Sequence, residues 1–389
     1  MRVLFFHLNG IDDNAGGVSR TTETLGRIFE DNGIEVWFVG AKNIKKDKQY
    51  HPHQFFLPNE ERIIDKLNVV FLSQFVKQRG EVCIINQASL SSEAVNFIAD
   101  VKKQTGARII SCLHNSVLTP VLNGAYQKEF LLRKKHLSFL FEIMRTPLVK
   151  NLLTYVYIQK YRPFYMNILE KSDKVILLCD GQVDELRKMC GSIDENKVSV
   201  IPNCQLPVQK SVMNESKEDI VLWVGTVDYS IKRPDNMLKI WNKIYQKHPG
   251  WQLLIVGDGP ALNAVKSMAK TMCLERVSFA GRKSPGEYYK KAKIVCVTSV
   301  HESFSLVTTE AQANGAVPVV FNSFTAAPVV VRNGETGILV PPFNLDTFAN
   351  EMSRLMSDNN RLNNMSEEAQ KAVSQFSPDR VFKKWQEVL

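Results

Sequence analysis

The chain of 389 residues has no Cys-x-x-Cys spacing, no G-x-x-x-x-G-K-[ST] motif and no long uncharged apolar run. Its seven cysteines (Cys83, Cys112, Cys179, Cys190, Cys204, Cys273 and Cys296) are odd in number. Most lie inside apolar runs such as "EVCIINQ" and "KIVCVTS", so they read as small buried residues. Neither a disulfide framework nor a zinc site is legible, which favours a reducing interior. The opening "MRVLFFHLNG" carries only Val3–Phe6 as an apolar run, too short for a signal-peptide core. The longest apolar region, "LSFLFEIMRTPLVKNLLTYVYI", is broken by Glu142, Arg145, Pro147 and Lys150, whereas a spanning helix needs about 20 nearly uncharged residues. With 20 Gly and 16 Pro, the chain is neither collagen-like nor of low complexity.

What is present is a globular composition, 44% apolar and 23% charged, long enough for two domains of about 150–200 residues. Apolar runs rich in Val, Ile and Leu recur at Val3–His7, Glu35–Val39, Val82–Asn86, Arg108–Leu113, Lys174–Leu178 and Val198–Ile201. A second series follows at Ile220–Val224, Gln252–Val256, Val277–Ala280, Ile294–Val297 and Val317–Phe321. Little period-2 alternation within them predicts strands covered on both faces. Helix-length stretches lie between, among them Arg20–Asn32, Ser91–Thr105, Arg233–His248 and Ala261–Thr271. The expected class is therefore α/β with doubly wound parallel sheets. The alternation restarts after a polar, irregular passage at 205–218, which divides the chain into 1–205 and 206–375. The tail "FSPDRVFKKWQEVL" predicts a last helix over 376–389, with Ser377 as its cap and Val381, Phe382, Trp385 and Leu389 on one face, packing back toward the N-terminal domain.

Four segments follow predicted strand ends, where open α/β sheets bind ligands. In "HLNGIDDNAGGVSR", Gly16 and Gly17 precede a helix and Arg20 follows; they suit either an anion at a helix N-terminus or a loop that needs positive φ. The spacing is not G-x-G-x-x-G, and no acid follows the second strand, so an NAD enzyme is disfavoured. In "IISCLHNSV", His114 is either a neutral hydrogen-bonding group or a satisfied loop histidine. In "VGTVDYSIKRPDN", Lys232 and Arg233 open a helix and suit either a pyrophosphate or a solvated helix start. In "VTSVHESFSLVTTEAQANGAVPVVF", Glu302 precedes a helix that contains Glu310 and ends near Gly315. Eight helical residues span about 12 Å, more than the roughly 5–9.5 Å between paired glycosidase carboxylates. The two acids fit contacts at opposite ends of an extended ligand better, with surface acids as the alternative.

Taken in order, "GGVSR", "HN", "SDKVILLCDGQ", "VSVIPNC", "VGTVDYSIKRPDN", "LLIVGDGP", "VSFAGRKS" and "HESFSLVTTEAQANGAVPVV" resemble a family 4 glycosyltransferase of GT-B architecture, of the bacterial polysaccharide and capsule type. The last segment is similar to the family's E-x7-E stretch. This resemblance implies two Rossmann-like domains facing a cleft, the C-terminal one holding a nucleotide-diphosphate sugar and the N-terminal one a glycan or polyprenyl-diphosphate-linked acceptor. It implies retention of anomeric configuration, with no metal and no cofactor beyond the sugar nucleotide. By position it assigns the donor ribose to Glu310, and the transferred sugar and its phosphate to Glu302 and the backbone of Phe304, Ser305 and Leu306. Lys232 falls to the diphosphate, with Gly16, Gly17 and Arg20 beside it, and Arg282 to the nucleobase. Gly257 and Gly259 form a turn near the donor, and His114 faces the sugar. One departure stands out: Thr226 follows Gly225 where the family often has Arg, leaving Arg233, Arg20 or a lysine to supply the charge. Two alternatives go with it, a GT-B nucleotide-sugar epimerase and a nucleotide-sugar-binding protein with weak catalysis.

The net charge of +9 is uneven. From Lys128 to Lys174 ten bases face four acids, leaving +6 in one stretch. There, Leu, Phe, Tyr and Ile alternate with Lys and Arg as in interfacial helices, which predicts a docking surface for an anionic membrane; a solvated basic face is the other reading. The expected location is cytoplasmic, peripheral at the inner face of the cytoplasmic membrane. No nucleic-acid-binding module is recognisable.

Overall fold

The computed structural model describes residues 1–11, 16–45, 50–208 and 217–389. The polar loop over 12–15 and most of the interdomain passage, 209–216, lie outside the described residues. The chain forms two compact units. The first comprises Met1–Val117, Val156–Cys204 and Pro378–Leu389, and the second Leu118–Tyr155 and Gln205–Ser377.

In the first unit seven strands pair in parallel: β1 (Arg2–Asn9), β2 (Glu35–Lys42), β3 (Gln54–Phe56), β4 (Val82–Asn86), β5 (Arg108–Cys112), β6 (Lys174–Leu177) and β7 (Val198–Val200). Their order is β3-β2-β1-β4-β5-β6-β7, so the chain winds outward from β1 in both directions. Alternate residues of β1 feed two separate cores. Val3 and Phe5 join Ile85, Ile110, Leu25, Ile28 and Phe29 on one face. Leu4 and Phe6 join Ile84, Ile109, Leu72, Phe97 and Ile98 on the other. This two-faced burial is why the strands read as unbroken apolar runs. The C-terminal helix Pro378–Gln386 belongs to the first face, where Phe382 and Trp385 meet the edge of Phe29 at 5.8 and 5.7 Å.

The second unit repeats the plan with six parallel strands: β8 (Glu218–Val224), β9 (Gln252–Val256), β10 (Val277–Gly281), β11 (Ala292–Val297), β12 (Val317–Phe321) and β13 (Ile338–Val340). Their order is β10-β9-β8-β11-β12-β13. Here Val221 and Trp223 face a core with Ile294, Cys296 and Phe321, while Ile220 and Leu222 face Val295 and Ala311.

The strands expected from sequence are all present, and β3 and β13 join them. Each is a three-residue strand at a sheet edge. Five of the seven cysteines are buried, and all seven are free thiols. The boundaries of the expected domains differ in one respect. Residues 118–155, including much of the basic segment, fall in the unit with 205–377 and not with the N-terminal sheet. The cause is local packing: Tyr126 stacks on Phe343 at 3.6 Å and Phe130 on Tyr229 at 3.5 Å.

Candidate functional site

The second unit gathers most of the expected residues at the carboxyl ends of its strands. The loops after β8, β9 and β10 are laced by backbone hydrogen bonds: Gly225 N to Val256 O, Val227 N to Asp258 O and Gly257 N to Gly281 O, at 2.9–3.1 Å. A Cβ on Gly257 would strike the carbonyl oxygen of Gly225, and one on Gly259 would lie 2.6 Å from that of Val227. Gly257 and Gly259 are therefore required for the loops to touch. Thr226 is exposed beside them. Arg282 is exposed just past the end of β10.

The loop from Asp228 to Arg233 is shaped from within. The Asp228 carboxylate accepts from the backbone N–H groups of Ser230 and Ile231 and from the Ser230 hydroxyl. Thr298, which accepts the Trp223 indole N–H at 3.0 Å, donates to the carbonyls of Lys232 and Arg233. This fixes the Lys232 side chain so that its ammonium lies 2.6 Å from Glu302 Oε1, an atom that also accepts from Ser299 Oγ at 2.6 Å. Lys232 and Glu302 thus form one ion pair, both partners partly shielded from solvent. His301, next to it, has a pKa lowered by burial and opposed by the Glu302 charge.

Arg233 does not serve the site as expected. Its side chain is 1% exposed and all five of its N–H donors are engaged. They go to both Asp235 oxygens, Asn236 Oδ1, Tyr126 O and Glu129 Oε2, at 2.9–3.3 Å. A guanidinium with every donor taken by protein has none left for a phosphate. Arg233 is a structural cation, and it does not replace the arginine missing at Thr226.

Helix Leu306–Ala313 starts at Ser305, which takes a left-handed conformation (φ 69°) unusual for serine, and no side chain caps the helix. Ser305 Oγ meets Thr308 Oγ1 at 2.7 Å instead. Thr308 N–H bonds Ser305 O at 3.0 Å, while the N–H groups of Leu306 and Val307 come too early for an acceptor within the helix, which leaves this N-terminus suited to an anion. The Phe304 ring is buried against Phe376 at 5.1 Å, so only its backbone faces the site. Glu310 accepts from Tyr289 OH at 2.8 Å. Tyr289 and Thr298 were not singled out in the sequence, because each acts through a partner distant in the chain; Asp228 and Ser299, whose partners are local, carry no motif.

In the first unit, helix Gly17–Asp31 starts after Gly16, whose φ of 118° leaves its Cβ position in open space. Gly16 answers a conformational need, and its carbonyl oxygen accepts from Arg20 N–H at 3.1 Å. His114 follows β5 and its Nε2 is hydrogen-bonded to Gln87 Oε1, just past neighbouring β4. Burial, reinforced by His7 on β1, pushes the His114 pKa down to about 4; burial lowers that of His7 too. The pair is neutral near pH 7. Beside them a small cavity, partly open to solvent, is lined by Thr21, Thr24, Gln87, His114, Asn203 and Cys204 among others.

Among the described residues one group, Glu30, His51 and His53, brings potential metal ligands within 4.8 Å of one another. His51 Nδ1 accepts from His53 N at 3.2 Å, which puts the ring proton on Nε2, 3.6 Å from Glu30 Oε1. It belongs to the C-terminal end of helix Gly17–Asp31, away from the carboxyl strand ends.

Residues 208–372 match the family described as "Glycosyl transferases group 1". An exopolysaccharide phosphotransferase of Streptomyces coelicolor is 32% identical over 160 residues, covering 40% of this chain and 17% of that protein. An uncharacterized glycosyltransferase of Haemophilus influenzae is 30% identical over 220 residues, 56% of this chain and 61% of that one. The chain thus spans less than two thirds of either relative. In fold the match is complete: the structure of Anabaena HepE in complex with UDP and glucose superposes with a TM-score of 0.74 at 15% identity, over 100% of this chain and 99% of that one. The α/β class and the two Rossmann-like units expected from the sequence are those of GT-B glycosyltransferases.

Proposed function

From a group 1 glycosyl transferase domain over 208–372, we propose that this chain is a retaining glycosyltransferase. It moves a sugar from a nucleotide-diphosphate donor to a hydroxyl of a glycan or lipid-linked glycan. The observation that carries this reading is the Lys232–Glu302 pair at 2.6 Å, in the same loop system as the uncapped N-terminus at Ser305. When the sugar–phosphate bond breaks, charge grows on the departing diphosphate. A fixed ammonium and fixed N–H dipoles stabilise that charge more than they stabilise the bound donor, which lowers the barrier. They fill the role a metal ion plays elsewhere, which supports metal-independent transfer. Glu302 keeps Lys232 in place and offers an acceptor to sugar hydroxyls, Glu310 is assigned to the donor ribose, Arg282 to the base, and His114 to the transferred sugar as a neutral hydrogen-bonding group. The intact charged pair favours transfer over a binding-only role.

A panel of UDP-, GDP- and ADP-sugars tests this by thermal shift, since a ligand of the folded state raises its apparent stability. One class is expected to raise the melting temperature and to support transfer. Near-normal transfer by folded Lys232→Ala and Glu302→Ala variants would sink the assignment.

The acceptor side of the proposal includes an anionic membrane. Among the described residues no helix is long and apolar enough to cross one, but the basic segment exposes apolar side chains. Phe139 and Ile143 lie one helical turn apart in Ser138–Arg145. Leu148 (80% exposed), Leu152 and Tyr155 share a face at i, i+4 and i+7 of Pro147–Lys171. Not every base is available to lipid: Arg133 and Arg145 pair with Glu142, and Arg162 and Lys174 bond backbone carbonyls. Lys134 and Lys135 stand exposed. Vesicles containing anionic lipid are expected to bind the chain at low salt, and Leu148→Asp with Leu152→Asp to abolish it.

A further inference from the structure

The loop that carries Lys232 is held from outside as well as from within, and the holder is a stretch without any motif, Asn123 and the helix Gly124–Lys134. We propose that Asn123, Glu129 and Phe130 are positioning residues that set both halves of the Lys232–Glu302 pair. The inference rests on the reading of Lys232 as the diphosphate cation.

Three contacts carry it. Phe130 lies flat on Tyr229, with ring centroids 3.5 Å apart and planes 6° apart, in the middle of the Asp228–Arg233 loop. Glu129 Oε2 and Tyr126 O, at 3.0 Å each, take both hydrogens of Arg233 Nη1, the residue adjoining Lys232. Arg233 has φ 53°, a left-handed conformation that costs an arginine free energy. Its side-chain bonds to helix and loop offset that cost and hold the turn. At the start of the same helix, Asn123 Nδ2 donates to Val300 O at 2.8 Å and to Ser323 O at 2.7 Å. Val300 precedes Glu302 by two residues, and its N–H bonds Ile231 O at 2.7 Å. One helix therefore grips the lysine loop through Tyr229 and Arg233 and the glutamate loop through Val300. Removing Glu129 leaves Arg233 its bidentate partner Asp235, so the buried cation stays neutralised and the unit folds.

The test uses the full-length chain and the variants Glu129→Gln, Phe130→Ala and the milder Phe130→Tyr, with UDP, GDP and ADP as probes and the corresponding nucleosides as controls. For whichever diphosphate the unaltered chain binds, Glu129→Gln and Phe130→Ala are expected to weaken affinity about tenfold. Nucleoside affinity stays the same, and Phe130→Tyr restores most of the loss. The deciding readout is a double-mutant cycle: in a Lys232→Ala background Phe130→Ala should cost no further affinity, because the residue acts through the lysine. Additive losses, equal loss for nucleoside and diphosphate, or unchanged binding by the single variants would each overturn the proposal. If Lys232→Ala alone leaves diphosphate binding intact, the functional reading fails and takes this inference with it. A loss in Lys232→Ala that the helix variants do not share defeats the positioning role only.

Discussion

The two units share one strand plan yet place opposite electrostatics at their carboxyl strand ends. The C-terminal unit concentrates formal charge there: Lys232 with Glu302 at the surface of the loop, Arg233 between Asp235 and Glu129 beneath it. The N-terminal unit places two histidines at the same level and keeps both uncharged by burial. One end is built to meet charge, the other to hydrogen-bond without it. In the proposed reaction the leaving diphosphate is assigned to the charged end, so losing a charge there should cost more than losing a neutral histidine.

The largest expected effect tests that difference directly. Losing one electrostatic stabiliser of a developing anion typically costs about 10²–10³ in turnover, so Lys232→Ala is expected to fall in that range, with Glu302→Ala at least tenfold down. His114→Ala removes a neutral hydrogen bond worth about 1 kcal/mol and should cost roughly fivefold. Steady-state kcat for the three variants measures the contrast. A His114→Ala loss as large as that of Lys232→Ala would erase the distinction between the ends.

The glycines offer a second contrast, expected in stability. Gly257 sits against the Gly225 carbonyl, whereas Gly16 has open space around its Cβ position and only its φ to protect. Gly257→Ala must push two backbones apart and is expected to destabilise the C-terminal unit by about 3 kcal/mol or more. Gly16→Ala bears only the strain of its backbone (φ 118°, ψ 178°), in a region essentially reserved for glycine, about 1–3 kcal/mol. Urea unfolding midpoints, followed by a signal from Trp223 and Trp241 for the C-terminal unit, would rank them. Equal costs would mean that the loop lacing does not require glycine.

The same physics decides what could be read from sequence. Strands such as Val82–Asn86 and Val317–Phe321 are buried at every position, so their apolar runs were legible, and the helix ends at Ser91 and Gly106 follow from local capping. β3 and β13 are three-residue edge strands that were not, although β7, equally short, was. Lys232 and Glu302 were legible as a cation and an acid after strand ends, but their pairing across 70 residues was not. Arg233 shows the limit most clearly. A cation at a helix start reads alike whether it points to solvent or inward, and its partners Tyr126 and Glu129 lie 107 and 104 residues away. For the same reason the placement of 118–155 with the C-terminal unit left no mark in composition.

The last expected effect concerns pH and sharpens the contrast from the neutral side. His114 titrates near 6.5 in an unfolded chain and at about 4 in the folded one. Between those values the unfolded state binds more protons, so protonation favours unfolding and stability falls as the solution is acidified from about pH 6.5 to pH 4. The slope from one such group reaches at most about 1.4 kcal/mol per pH unit, and His7, lowered in the same direction, adds to it. His114→Asn keeps a polar side chain but removes the titration, and should flatten the part of the slope that His114 contributes. Above pH 6.5 the two proteins should run parallel. A variant whose acid slope matches that of the unaltered chain would mean that His114 takes up its proton as readily folded as unfolded, and burial would then not be what keeps the N-terminal strand ends neutral.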